Sequence, residues 1–147
     1  MTEPAPPLND AQLTILGGAM DRLVPSIDDL PGAGAMGLAP EVDTLARRHP
    51  PYRRALSTFI ERLALKWRTE APPAQQDALL RELEAADGAT FTAVLELVYL
   101  AYYGDARVHR RVAWRGGPLQ PQGFPLAPFK SEILDAVRGR PPFWRQT

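Results

Sequence analysis

From Asn9 onward, apolar positions recur at helical intervals. Leu13, Leu16, Met20 and Leu23 share one face, and Asn9 with Gln12 three residues on forms a capping-box pattern. Val24-Pro25 ends this element. Gly17-Gly18 inside it costs roughly 1 kcal/mol per glycine relative to alanine, a cost that close packing would explain. A loop, 26–39, is broken by Pro31, Gly32, Gly34 and Gly37. Pro40 suits the first turn of a short helix carrying Val42, Leu45 and Ala46, and Pro50-Pro51 breaks it. Tyr52, Ala55, Leu56, Phe59, Ile60, Leu63 and Trp67 then form one apolar stripe, with Arg53, Arg54, Glu61, Arg62 and Arg68 largely off it. After Pro72-Pro73, residues 74–86 make a narrower stripe through Leu79, Leu80 and Leu83.

The pattern changes after Asp87-Gly88, which reads as a turn. Thr90 is the expected cap of a helix over 91–103. Phe91, Val94, Leu95, Leu97, Val98, Tyr99, Leu100 and Tyr102 make it apolar almost all round. Such a helix is usually buried on most sides, which places it at the centre of the domain. Gly104 sits where a left-handed cap is wanted. Breakers then recur from Gly116-Gly117-Pro118 to Pro128, and one more short helix fits 130–138. No period-2 strand pattern and no internal repeat is present. The expected fold is all-α, with about five or six short-to-medium helices and a long irregular C-terminal segment. The expected organisation is a disordered leader over 1–8, then a single helical domain over 9–147. That domain includes an extended partner-binding segment, 104–128, and a tail, 139–147.

Composition adjusts this picture. At 147 residues with 45% hydrophobic content, one domain with a real core is expected. The 16 prolines, about twice the usual frequency, keep helices short and separated. Formal charge is zero, which argues against nucleic acid as the main partner, because phosphate binding needs a basic surface. Without cysteine there is no disulfide and no thiolate chemistry. No apolar run approaches the roughly 18 residues of a membrane span. No export signal is visible at the N-terminus. A cytoplasmic protein is expected from the sequence as given, and a periplasmic one if a signal is missing or supplied by a partner.

Candidate chemistry is sparse. His49 and His109 have no metal-ligand neighbour at helical spacing, apart from Asp105 four residues before His109. His49 at a helix end favourably meets the helix dipole. Asp28-Asp29, Asp43 and Asp105 are the carboxylates to consider, yet Asp28-Asp29 falls in a turn-rich loop where aspartate bonds backbone. Residues 32–37 match GxGxxG loosely, but no strand precedes them. No nucleophile elbow appears. No catalytic, cofactor or metal residue is assigned. The densest basic run is Arg107, His109, Arg110, Arg111 and Arg115, and zero net charge favours a protein partner over nucleic acid for it.

Residues 97–107, Leu-Val-Tyr-Leu-Ala-Tyr-Tyr-Gly-Asp-Ala-Arg, followed by Trp114-Arg115-Gly116 and Gly123-Phe124-Pro125, resemble the gluconate 2-dehydrogenase subunit 3 family. The N-terminal helix ending in Val24-Pro25, and the Pro-Gly-Ala loop after it, resemble that family too. The resemblance implies a small subunit without cofactor or catalysis of its own. It would support and stabilise a large FAD-dependent dehydrogenase of the glucose-methanol-choline type that oxidises a sugar, sugar acid or glycoside. In many such complexes a cytochrome c accepts the electrons. The chain departs from the family pattern at Ala106, where proline is usual, and at 108–111, Val-His-Arg-Arg. It also lacks the twin-arginine signal that many members carry. The expected partner interface is Tyr102, Tyr103, Asp105, Arg107, Arg110, Arg111, Trp114 and Arg115, with Phe143 and Trp144 of the tail. Tyrosine, tryptophan and arginine most often dominate binding energy. A helical adaptor of another complex is the alternative reading. Tyr103 and Trp114 could also simply cover the domain's own core.

Overall fold

A computed structural model describes residues 6–114, 116 and 130–140. It divides into two compact units, Met1–Arg115 and Gly116–Thr147. In the first unit the helices are α1 (Asp10–Leu23), α2 (Ala39–Arg47), α3 (Pro50–Lys66), α4 (Pro73–Ala86), α5 (Gly88–Gly104) and α6 (Ala106–Arg111); α7 (Glu132–Arg138) belongs to the second. The all-α class is as expected, and no named strand occurs among the described residues.

The start of α1 follows from its sequence. Asn9 Oδ1 accepts the Gln12 N–H at 2.9 Å, and Gln12 Oε1 accepts the Asn9 N–H at 3.0 Å. Such caps are worth about 1 kcal/mol. Leu16, Ala19 and Met20 turn inward. Gly18 of α1 and Gly34 of the following loop serve close approach, whereas a Cβ on Gly17 would make only an ordinary contact, 3.9 Å from Gly34 Cα. A Cβ on Gly34 would lie 1.9 Å from the Gly17 carbonyl oxygen, and one on Gly18 would lie 2.9 Å from Cζ2 of Trp67. Glycine therefore lets the 31–37 loop and the Trp67 indole lie directly on the helix.

Pro40 opens a helix as expected, whereas Pro50-Pro51 and Pro72-Pro73, read as breaks, lie at the starts of the next two helices. Pro50-Pro51 does not separate two helices as a spacer; it opens α3, as Pro40 opens α2 and Pro73 opens α4. A first-turn proline loses no helical hydrogen bond, and its fixed φ suits the helix.

The expected cap at Thr90 is also corrected. α5 starts at Gly88, and Asp87 caps it by accepting the Thr90 N–H at 3.1 Å. Gly104 takes no left-handed conformation; α5 runs through it to Asp105. As expected, α5 is central, packing on α2, α3, α4 and α6. Phe91, Val94, Leu97, Val98, Ala101 and Tyr102 are its buried side. Phe59 of α3 meets Phe91 edge-on, with ring centroids 6.1 Å apart.

Of the leader expected over 1–8, residues 1–5 lie outside the described residues, and residues 6–8 are part of the folded unit. Leu8 is buried in the core, and its N–H reaches Asp43 Oδ1 at 3.3 Å. Asp43 is the one buried charged residue among the described ones. Arg53 Nη1 at 2.7 Å and Arg47 Nε at 3.0 Å neutralise it. Arg53 also donates to the Pro6 carbonyl. Asp43, considered above as a carboxylate for chemistry, thus fastens the N-terminal strap to α2 and α3.

Candidate functional site

The outer side of α5 also carries large apolar side chains, and among the described residues they are left exposed. Leu100 is 57% exposed and Tyr103 58%, while Tyr102 is 7% exposed. Helical geometry produces the split: residues 96, 99, 100 and 103 lie on one face, and 94, 97, 98 and 101 face the core. The Tyr103 ring stands edge-on to Tyr102 at 5.3 Å and lies 6.1 Å from Tyr99. Tyr102 is therefore a core residue, a correction to its expected place in the interface. Tyr103 is on the surface.

Of the segment 104–128 expected to be irregular, residues 106–111 form a helix, and residues 115 and 117–128 lie outside the described residues. Asp105 caps the short helix α6 by accepting the Arg107 N–H at 2.7 Å. Its carboxylate also accepts from Arg107 Nε and Nη2, both at 2.8 Å. Arg107 Nη2 in turn donates to the Met36 carbonyl at 3.0 Å. The hydrogen-bonded guanidinium of Arg107 holds the Asp105 carboxyl well below its ordinary range, at about 2. Asp105 and Arg107 are thus engaged with each other and with the 31–38 loop, which leaves little of their hydrogen-bonding capacity for a partner.

Arg111 pairs with Asp28, and its Nε lies 3.4 Å from Asp29 Oδ1. The two carboxylates considered for catalysis therefore hold α6 to the 27–30 turn. Arg110 is exposed, and no ion pair among the described residues includes it. α6 buries Val108. Ala113 then takes φ 55°, a left-handed conformation costing an L-residue about 1–2 kcal/mol. That turn returns Trp114 onto His109, edge-on at 4.3 Å. The His109 Nε2–H donates to the Tyr103 carbonyl at 2.5 Å. His109 thus ties α6 back to the end of α5. Trp114 stays 44% exposed. Arg115, Phe143 and Trp144 lie outside the described residues.

Together these residues border a groove of about 650 Å³. Tyr99, Leu100, Tyr103 and Gly104 come from α5, and His109 and Trp114 close one side. Tyr52 of α3 and Glu96 complete it. Tyr52 Oη donates to Glu96 Oε2 at 2.7 Å, and that bond raises the Tyr52 pKa. Comparisons with protein families, curated proteins and solved structures returned no match to this chain.

Four of the groove residues escaped the sequence reading. Tyr52, Tyr99 and Leu100 were assigned to core stripes, and Glu96 was not singled out. The available signal was the apolar character of α5 on its second face. Among the described residues no group of three or more His, Asp or Glu side chains could hold a metal. No helix among them is long and apolar enough to cross a membrane.

Proposed function

We propose that this chain is a non-catalytic small subunit that binds and stabilises a large FAD-dependent dehydrogenase subunit, one acting on a sugar or glycoside. The observation that carries the reading is the outer face of α5. Leu100, Tyr103 and Trp114 are large, apolar and exposed side by side around one groove. Contiguous exposed apolar surface of this kind marks interaction sites. The resemblance to the gluconate 2-dehydrogenase subunit 3 family falls on the same stretch, 97–107, and supplies the kind of partner. FAD belongs to that partner, and a cytochrome c would be the acceptor in a complete complex.

Co-expression with a large flavoprotein encoded beside this chain tests the reading. The expected result is a yellow complex whose yield drops when this chain is omitted. The variant Trp114→Ala should reduce co-purification, and undiminished complex formation would remove Trp114 from the interface. Capture of a partner without flavin would favour a helical adaptor of another complex.

A further inference from the structure

The groove on α5 has apolar walls and a single carboxylate at its edge. Glu96 is exposed, and its only side-chain hydrogen bond among the described residues comes from Tyr52 Oη, on Oε2. None of the ion pairs among the described residues includes it. His109, the other titratable group bordering the groove besides the tyrosines, gives its Nε2–H to the Tyr103 carbonyl.

Covering these walls takes Glu96 out of water. A carboxylate desolvated without a counter-charge is costly, so an occupant that seals the groove must bring a cation. Exposed tyrosine and tryptophan faces attract the same cation, and the stems of lysine and arginine pack on apolar surface. An acidic peptide or an anionic lipid surface would instead set like charge against Glu96. A second copy packed groove to groove would bring two Glu96 carboxylates into one dehydrated interface. We propose that the groove receives a segment of the large partner subunit carrying apolar side chains and one arginine or lysine, whose cation pairs with Glu96. The proposal rests on the small-subunit reading above and specifies the chemistry of its interface.

The test is capture of the co-expressed flavoprotein by the full chain, with binding quantified on the purified components. Glu96→Gln should weaken capture about tenfold, and Glu96→Lys should weaken it further. Tyr52→Phe removes the same internal hydrogen bond but keeps the carboxylate, and capture should stay within about twofold of wild type. Glu96 is on the surface, so unchanged circular dichroism and urea midpoints are expected for all three variants. Capture by Glu96→Gln equal to wild type would overturn the proposal. So would equal losses in Glu96→Gln and Tyr52→Phe, which would make Glu96 an internal support for Tyr52. A change in the oligomeric state of the free chain, with flavoprotein capture untouched, would assign the groove to a second copy and also overturn it. If the wild-type chain captures no flavoprotein, the small-subunit reading itself fails, an outcome separate from the other three.

Discussion

The two sides of α5 both carry large apolar side chains and have opposite fates. On the inner side Leu97 is 1% exposed and Val98 is fully buried; on the outer side, within a few residues, Leu100 is 57% exposed and Tyr103 58%. Hydrophobic burial is worth roughly 25 cal/mol per Å² of apolar surface, so the inner face pays for folding, and the outer face can gain only from something outside the first unit. A helix apolar all round is thus a core element on one side and an unfilled contact surface on the other. The difference between the faces is decided by which neighbours the topology supplies: α2, α3 and α4 pack on the helix and bury its inner side, while Leu100 and Tyr103 stay exposed.

Charge marks the inner side most sharply. Asp43→Ala should destabilise by about 3–5 kcal/mol in urea unfolding, because Arg53 is left as an uncompensated charge and the Leu8 N–H loses its acceptor. Limited proteolysis should then cut near residue 8 more readily than in wild type. Leu97→Ala should cost about 2–5 kcal/mol by the same measurement, as expected for a cavity in a packed core.

Asp105→Asn gives a smaller, pH-dependent effect at the junction of α5 and α6. Its folded pKa of about 2 lies below the ordinary 3.8, so the ionised form is the one folding favours. That contribution is fully present above about pH 4 and is lost as pH falls through about 2. Since asparagine still caps a helix, the variant removes charge and little else. A deficit of about 1–2 kcal/mol at pH 6 should shrink towards zero near pH 2. At the bottom of the scale, Leu100→Asp should change stability by no more than about 0.5 kcal/mol, since the side chain is mostly in water already. A loss near that of Leu97→Ala would mean that the outer face is packed and would erase the contrast.

Much of the inner architecture was legible in local pattern. The Asn9–Gln12 capping box, the stripe from Tyr52 to Trp67 and the central place of α5 all follow from spacing within a few turns. Misreadings arose where one residue type has two uses. Pro50-Pro51 ends one helix run and begins the next. Gly104 could cap α5, but Asp105 does so and caps α6 as well, which turned a stretch expected to be irregular into a helix. Of the Asp43 cluster only the i,i+4 pair with Arg47 is local; its partners Leu8 and Arg53 lie 35 and 10 residues away and meet it only through folding. The candidate site was half legible. Tyr103 and Trp114 stood out by type, whereas Tyr52 and Glu96 enter only because α3 packs on α5.

Hydroxyl-radical footprinting of the chain, free and in complex with its co-expressed partner, addresses the outer face directly. It reads the solvent access of individual side chains without altering any of them. In the free chain Tyr99, Leu100, Tyr103 and Trp114 should be labelled readily, and Trp67, 5% exposed, should be labelled little. In the complex the first four should lose labelling several-fold while Trp67 stays unchanged. Equal labelling of Leu100 and Tyr103 in the free and bound chains would contradict the assignment of this face to the partner.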